Sequence, residues 1–332
     1  MVYIYKKIIG NKEYYYLRAS VKKKNKIVTK DILYLGNNLN SIKSKINELP
    51  KKYTDEIRKT YKTINKFLEL NHFLEKIRDS KLKQEEFLSK ELLENIEACR
   101  LHWNNVFNKL DSKTKNETLK NFIIDFAFNT TSIEGNTISL KQAQNLLLNN
   151  LTPANKTLRE IYDLQNTEKV FLDLLHKKNL NHELICEIHD SLMDNIDLRK
   201  GYRTEEVRVL KSNFKSTPAI FIKTDMDLLI KWYEENKNKL HPLVLAGIFH
   251  HKFEKIHPFM DGNGRTGRML INWILLSNNY PPLVIRKKNR TKYLSALNKA
   301  DAVNLTKISE LYNPLIEVIS IEYYENYWNI FL

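Results

Sequence analysis

The sequence predicts a mainly α-helical protein with a small β unit at its N-terminus and a β-hairpin that projects from the helical body. Three observations support this fold class. Residues 1–36 are rich in aromatic and β-branched residues. From Tyr53 onward, apolar residues recur at spacings of three and four with almost no Gly or Pro between them. Residues 201–223 break this rhythm and alternate between apolar and polar side chains.

The N-terminal segment contains two strand-like stretches, YYYLRASV and KIVTKDILYLG, separated by the polar run KKKNK. Gly10 and Gly36 punctuate them. This pattern predicts a β-hairpin or a three-stranded sheet. The next stretch, NNLNSIKSKINELPKK, predicts a short helix that ends near Pro50, so residues 1–50 form the first expected unit.

The remaining chain is expected to form a helical region over 51–114 and a catalytic core over 115–332. In the core, the helical pattern of LVLAGIFHHKFEKI stops at Pro258, and the next helix is predicted to run from Asn263 to Asn278. The interruption at 201–223 predicts a β-hairpin from the alternation of Val207, Val209, Ile220 and Ile222.

The composition indicates a globular protein. The chain has 332 residues, of which 42% are hydrophobic, enough for a sizeable core. No apolar run approaches membrane-spanning length, and the first residues lack the blocks of a signal peptide, so we expect a cytoplasmic protein with no membrane partner. Cys99 and Cys186 lie far apart in helical patterns, which predicts buried thiols and neither a disulfide nor a metal site.

The formal charge of +15 has two interpretations. A nucleic-acid partner is one. The other, which we favour at this stage, is a general abundance of lysine scattered along the chain.

One loop combines the features of a polyphosphate site. The segment HPFMDGNGRTGR, from His257 to Arg268, holds three of the chain's eight glycines and opens onto a predicted helix. Glycine lets backbone N–H groups approach a ligand, and a helix N-terminus favours phosphate. Asp261 offers a carboxylate for Mg²⁺, and Arg265 and Arg268 share one helix face, where they would neutralise outer phosphates. His257 is the predicted general base, because its pKa lies near working pH.

Two nucleotide-binding motifs fit the glycines less well. Gly262, Gly264 and Gly267 have the spacing GxGxxG, but no apolar strand precedes them, as a dinucleotide-binding turn requires. A Walker A loop is excluded because no Lys-Ser or Lys-Thr pair follows.

A zinc site also fits poorly. His250, Glu254 and His257 are spaced like helical metal ligands, yet Pro258 takes His257 out of the helix, and the HExxH pattern is absent. We therefore expect His250 and His251 to pack or to support other residues.

The loop resembles the signature of the Fic family, HPFx[D/E]GNGRxxR, at every fixed position. Nearby, GYRTEEVRV is similar to the family's flap hairpin, and YPPLVIRKKNRTKYLSALNKAD is similar to the segment that closes the nucleotide site. The resemblance covers residues 115–320 and implies a Fic-type helical bundle.

It further implies a protein adenylyltransferase that moves AMP from ATP to a Ser, Thr or Tyr hydroxyl of a target protein and of itself, with Mg²⁺ as cofactor. His257 is then the catalytic base and Asp261 the Mg²⁺ ligand. The backbone amides of the glycine run, together with Asn263, stabilise the α-phosphate, and Phe259 anchors the loop. The residues expected to bind the nucleotide are Phe259, Gly262, Asn263, Gly264, Arg265, Thr266, Gly267, Arg268, Val207, Tyr293 and Asp301.

Upstream, TTSIEGN at residues 130–136 resembles the family's inhibitory motif, [S/T]xxxE[G/N]. The resemblance implies that Glu134, together with Thr130 and Gly135, restrains the enzyme by pairing with Arg268. Two alternatives stay open: a helix-end carboxylate in water, and a residue that positions a water for removal of AMP from the target.

The flap around Thr204, Val207 and Val209 is expected to align the target protein by strand addition, which uses backbone bonds and leaves the target unnamed. Fic relatives also transfer UMP, phosphocholine or a bare phosphate. The N-terminal unit could be a dimer, partner or nucleic-acid surface, or a lid. A rival from another class is a nucleotide-sensing regulator whose basic N-terminal unit contacts nucleic acid.

Overall fold

The computed structural model describes residues 2–10, 12–23, 26–49, 57–174, 176–177, 179–207 and 216–332. Backbone contacts divide the chain into a sheet unit, which ends at Leu82, and a helical unit, Lys83–Phe331. The predicted boundaries at 50 and 114 stay a prediction of domain organisation.

The sheet unit contains the predicted three-stranded sheet. Strands β1 (Val2–Ile9), β2 (Lys12–Lys23) and β3 (Lys26–Gly36) are antiparallel in the order β1-β2-β3. Alternate residues of the strands form a buried apolar face, which packs with helices α1 (Leu39–Asn47) and α2 (Tyr61–Arg78). The predicted short helix after the strands is confirmed.

The helical unit is built around two buried helices, α9 (Pro242–Ile256) and α10 (Asn263–Ser277). Every residue from Leu243 to Phe253 is buried, so α9 has no solvent-facing side in its centre. Pro242 lies in the first turn of α9, where its missing N–H costs no hydrogen bond. The other helices of this unit are α3 (Lys90–Asn105), α4 (Ser112–Ile133), α5 (Leu140–Asn149), α6 (Leu158–Leu174), α7 (His182–Leu192), α8 (Ile222–Asn236), α11 (Arg290–Ala300) and α12 (Asn313–Ile330).

The prediction for the flap is wrong at its second strand. Residues Ala219–Phe221 form a short 3₁₀ turn, and Ile222 begins α8. Ile222 is buried at helical spacing with Met226, whereas Ile220 is 83% exposed. The run AIFIK is too short to distinguish a strand period from a helix period, which explains the error. Residues 204–207 form no strand, and Val209 lies outside the described residues.

The predicted end of the helix after the loop and the predicted burial of the cysteines agree more closely with the structure. The loop helix was predicted to end at Asn278 and ends at Ser277. Cys99 is buried and Cys186 is half-buried, and the two do not form a disulfide with each other. Among the described residues, no helix combines the length and apolarity needed to cross a bilayer.

An aromatic cluster joins α4 to α6 and to the end of α12. The ring of Phe122 lies 5.3 Å from that of Phe171 and 5.5 Å from that of Phe331, measured between centroids. We predict that Phe122→Ala lowers the free energy of unfolding by about 3–5 kcal/mol, because it leaves a cavity in this core. Urea unfolding measures this, with Leu158→Ala at an exposed site as the control. Equal effects of the two variants would contradict the assigned core.

Candidate active site

His257 lies at the C-terminal end of α9, where the chain turns sharply. Its backbone has φ 53° and ψ 61°, the left-handed region that non-glycine residues rarely adopt, and Pro258 prevents a further helical turn. The imidazole Nδ1 lies 3.3 Å from the carbonyl oxygen of Glu254. A carbonyl only accepts, so Nδ1 carries the proton and Nε2 is the basic nitrogen. Burial lowers the pKa of His257 below its ordinary value, which keeps the ring neutral at pH 7.

The side chain of Asn263 holds the loop after His257 in shape. Its Oδ1 accepts from the N–H of Phe259 at 2.9 Å, and its Nδ2 donates to the Phe259 carbonyl at 2.8 Å. Gly262, at φ 80°, caps α10, and the helical bonds begin with the N–H of Thr266. The N–H groups of residues 263–265 therefore precede the helical ladder, as in phosphate-binding helix ends. Because the Asn263 amide is engaged in the loop, its backbone N–H is the group that suits the predicted α-phosphate contact.

Phe259 anchors the loop in the core, as predicted from its apolar side chain. It is fully buried, and its ring stacks on that of His189 with centroids 3.6 Å apart. The Nε2 of His189 lies 3.1 Å from the carbonyl oxygen of Asp261, and its Nδ1 lies 2.8 Å from Asp190. His189 on α7 therefore positions the loop from the side opposite α9.

Arg203 connects the loop to both ends of the flap, and the sequence analysis missed it. Its Nε donates to the His257 carbonyl at 2.8 Å, and its backbone N–H donates to the Pro258 carbonyl at 2.9 Å. The same guanidinium donates to the carbonyls of Glu205 and Thr217. Burial lowers the pKa of Arg203. One side chain thus connects His257 to both ends of the described flap.

The segment TTSIEGN, residues 130–136, ends α4 in a way that directs Glu134 at Arg268. Gly135 has φ 107°. The N–H of Asn136 donates to the carbonyl oxygen of Thr131, and the N–H of Gly135 donates to the carbonyl oxygen of Ser132. This pair of bonds is the Schellman motif, in which the glycine is favoured by its positive φ. Glu134 is the last residue before that turn.

Arg268 is buried and makes three hydrogen bonds with this motif. Its Nη2 donates to Glu134 Oε1 at 2.6 Å and to the Thr130 carbonyl at 3.0 Å, and its Nε donates to Thr130 Oγ1 at 2.7 Å. Burial opposes the charge, but the Glu134 carboxylate raises the pKa of Arg268 above its ordinary value. A side chain at position 264 would approach the Glu134 carboxyl to 3.0 Å or less, so Gly264 makes room for the ion pair.

The other two predicted charges of the loop are also paired. Arg265 forms an ion pair with Asp163, and Asp261 forms one with Arg159; both partners lie on α6. Sequence analysis missed Arg159 and Asp163, because 102 residues separate each from its partner. Burial opposes ionisation of Asp261, but Arg265 and Arg159 hold the pKa of its carboxyl below the ordinary value. Asp261 is thus an anion that already has a cationic neighbour.

No group of three or more His, Cys, Asp or Glu side chains suited to a metal exists among the described residues. Asp261 is an oxygen donor with more than a third of its side chain exposed. These residues fit Mg²⁺ only together with phosphate oxygens from a nucleotide, which is the usual mode for this ion.

The remaining predicted nucleotide residues occupy varied places. Tyr293 is buried, with its hydroxyl bonded to His250 Nε2, and Asp301 lies 3.1 Å from His251 Nε2. Tyr293 also interacts with Arg268, and nucleotide contacts by Tyr293 and Asp301 stay a prediction. Val207 is half-buried at the edge of the described flap, and Thr204 is exposed beside it. Gly267 and Thr266 lie on the buried side of α10.

Glu254 lies on α9 and interacts electrostatically with Arg268, and its side chain is 19% exposed. Burial raises the pKa of its carboxyl to about 8, so it is protonated at neutral pH. Its Oε1 has no hydrogen-bond partner within the described part of the chain. A protonated carboxyl suits this environment, because an ion there would lack solvation.

We predict a pH-dependent effect of Glu254→Gln on stability. The folded-state pKa lies above the model value of 4.5, so wild-type stability falls as pH rises from about 4.5 to about 8. Glutamine stays neutral and lacks this loss. The free energy of unfolding of the variant minus that of the wild type should therefore increase with pH, by at most roughly 1.4 kcal/mol per pH unit. Urea unfolding at about pH 5 and about pH 8 measures it. A difference that does not change with pH would mean that Glu254 is ionised in the fold.

Comparison with known proteins places this site in a family. Residues 179–275 match the Fic/DOC family model. Protein adenylyltransferase fic-1 of Caenorhabditis elegans is 28% identical over 187 residues, 54% of this chain and 37% of that protein. Protein adenylyltransferase Fic of Drosophila melanogaster is 30% identical over 185 residues, 52% of this chain and 36% of that protein. The chain spans little more than a third of the length of these relatives.

Solved structures show the same fold. A Fic domain containing signaling protein from Bacteroides thetaiotaomicron has a TM-score of 0.63 and 23% identity, over 70% of this chain and 95% of that chain. Fic-1 from C. elegans has a TM-score of 0.61 and 22% identity, over 73% of this chain and 71% of that chain. The match to the Fic/DOC family model includes α7, α9 and the whole loop from His257 to Arg268.

Proposed function

We propose that this protein transfers AMP from ATP to a Ser, Thr or Tyr hydroxyl of a protein. The observation that carries the proposal is the position of His257, a half-buried histidine at the end of α9, in the loop that leads into α10, which carries the buried Arg265 and Arg268. The hydroxyl oxygen bonds to the α-phosphorus as the bond to the β-phosphate oxygen breaks, and pyrophosphate leaves. The hydroxyl proton passes to Nε2 of His257.

Each residue of the loop has a role in this reaction. The N–H groups of residues 263–265 stabilise the charge on the α-phosphate. Arg265 and Arg268 bind the outer phosphates once they leave Asp163 and Glu134. Asp261 would hold Mg²⁺ together with the phosphates, and the ion, when bound, neutralises phosphate charge. Arg159, with 56% of its side chain exposed, is free to turn away from Asp261 when a metal-bound nucleotide enters.

The acceptor protein would approach along the flap. A groove of about 290 Å³ lies beside Met260 and Asp261, lined on its other side by the chain from Arg199 to Glu205. The groove is lined by two basic residues, Arg199 and Lys200, and by two acidic residues, Asp197 and Glu205. Such a groove suits an extended peptide held by backbone bonds, which fits the expectation that many sequences are accepted.

Labelled ATP tests the reaction class. Incubation with Mg²⁺ and ATP labelled at the α-phosphate should leave label on protein, whereas label at the γ-phosphate should not be retained. We predict that His257→Ala abolishes retention of the α-label but keeps ATP binding, because the imidazole acts on the hydroxyl. Calorimetry of ATP binding serves as the control for folding. Label from the γ-phosphate would indicate phosphorylation, and transfer by His257→Ala within a few-fold of wild type would rule out the general-base role.

A second prediction concerns restraint by Glu134. As long as its carboxylate holds Arg268, the γ-phosphate cannot take that arginine, so the resting enzyme is slow. Glu134→Gly removes the competitor and should raise labelling, including self-modification. A coupling of about 1–3 kcal/mol corresponds to roughly 5- to 150-fold. The double variant with His257→Ala is the matched control and should stay inactive.

The Glu134→Gly variant also distinguishes an inhibitory role of Glu134 from a role in the hydrolytic removal of AMP. If Glu134 positions a water that removes AMP, Glu134→Gly also loses removal of AMP from a modified target. Both directions should be measured on one modified protein. Labelling that is unchanged or lower in a folded Glu134→Gly protein would make Glu134 a helix-end carboxylate with no regulatory role.

A further inference from the structure

The positive charge of this chain is concentrated in the sheet unit. Residues 1–82 contain 20 Lys and Arg but only eight Asp and Glu, a net charge of +12. The other 250 residues carry the remaining 34 Lys and Arg against 31 Asp and Glu, a net charge of +3. The lysines are scattered along the chain, as expected, but only in the helical unit are they balanced by acids. A charge confined to one small unit indicates a polyanionic partner for that unit.

The sheet in this unit has one buried face and one face that the core does not need. The buried face carries Val2, Ile4, Tyr15, Leu17 and Leu35. Because side chains alternate along a strand, the residues between them point to the other side of the sheet. That side carries Tyr3, Tyr5, Tyr14, Tyr16 and Tyr34, which we call the tyrosine face.

The tyrosine face is one continuous aromatic surface. Tyr16 lies opposite Tyr5 on one neighbouring strand and opposite Tyr34 on the other. The ring centroid of Tyr34 is 5.2 Å from that of Tyr16 and 6.4 Å from that of Tyr14. The guanidinium of Arg18 lies 3.5 Å from the centroid of Tyr5. None of these five rings is buried, so planar groups of a ligand can stack on them.

Cations border this surface on the same side of the sheet. Lys7 lies opposite Tyr14, Lys12 opposite Ile9, and Lys22 opposite Ile27. The three lysines are exposed, as are Ile9 and Ile27. Asp31, the one acid on β3, pairs with Arg18 at 2.6 Å and also interacts electrostatically with Lys7. Rings for bases and lysines for phosphates thus lie side by side.

We infer that the tyrosine face binds single-stranded nucleic acid, with bases stacked on the tyrosines and phosphates bound by the flanking lysines. A flat sheet with exposed aromatic rings suits unpaired bases, whereas reading a duplex groove requires an element that enters it. The helices of this unit pack on the opposite, buried face. A second copy of the chain fits this face poorly, because two units of +12 repel each other. The inference is independent of the transfer reaction, which belongs to the helical unit.

Fluorescence anisotropy of the full chain with labelled single strands tests this inference. The probes are a mixed-sequence RNA and a mixed-sequence DNA of about 16 nucleotides, and the DNA in duplex form. Binding to a single strand should be tighter than to the duplex and should weaken steeply between about 50 and 200 mM salt. Comparison of the RNA with the DNA shows which polymer is preferred.

Three variants assign the binding to the tyrosine face. Tyr16→Ala should weaken binding by about 5- to 150-fold, because it removes one stacking ring. Tyr16→Phe keeps the ring and should bind like the wild type, which separates stacking from misfolding. Tyr61→Ala removes an exposed tyrosine of the same unit outside the sheet and should change nothing.

Three results would overturn the inference: no binding of either single strand at about 50 mM salt, equal affinity of Tyr16→Ala and wild type, or tighter binding of the duplex. Binding by His257→Ala should equal that of the wild type. Loss of adenylyl transfer therefore leaves this test unaffected.

Discussion

The ion pair between the buried Arg268 and the exposed carboxylate of Glu134 is the interaction on which the arrangement of the candidate site depends. A guanidinium at 3% exposure must have its donors satisfied, because an unpaired buried charge is strongly destabilising. Thr130 and Glu134 satisfy it with three hydrogen bonds. The Schellman turn at Gly135 fixes where α4 ends, and that in turn fixes the Glu134 carboxylate beside α10. Local sequence at residues 130–136 therefore sets the electrostatic state of a loop more than 120 residues later.

The same principle applies to the other charges of the loop. Arg265 is held by Asp163 and Asp261 by Arg159, so each charged group that a nucleotide would use is neutralised by another residue. A triphosphate with its metal ion can replace these partners, because it offers both anions for the arginines and a cation for Asp261. The cost of breaking three ion pairs would oppose nucleotide binding, which is the physical basis of the restraint proposed for Glu134. Glu134 differs from Asp163, the partner of Arg265, because its side chain is 43% exposed against 12%, so it can be released without leaving a buried ion.

The sequence predicted the parts of this site that are contiguous along the chain. The loop from His257 to Arg268 and the inhibitory motif are short segments whose glycines and charges imply their local geometry. The pairing of Glu134 with Arg268 came from the family resemblance, and the structure contains that ion pair. Arg203 and the acid and base on α6 could not be found in this way, because their roles depend on partners that only the fold brings near. Their residue types carry no signal by themselves.

The error in the predicted fold has an equally specific cause. The second strand of the flap was predicted from two isoleucines in a short apolar run. In the structure, Ile222 is buried as the first residue of α8, so this part of the run is helical. Within the sheet unit, the alternating pattern was strong enough to predict the strands. The difference in net charge between the two units can be counted in the sequence alone. Its meaning depends on the fold, because only the strand pairing shows that Lys7, Lys12 and Lys22 share one side of the sheet with the tyrosine face.

A double-mutant cycle on ATP affinity tests the central claim most directly. Calorimetry would measure ATP binding by the wild type, Glu134→Gly, Arg268→Ala and the double variant, all with Mg²⁺ present. If Glu134 acts by occupying Arg268, Glu134→Gly tightens ATP binding only when Arg268 is present, and it has no effect in the Arg268→Ala background. An equal gain in affinity in both backgrounds would contradict the account, because Glu134 would then oppose the nucleotide by some route other than this ion pair.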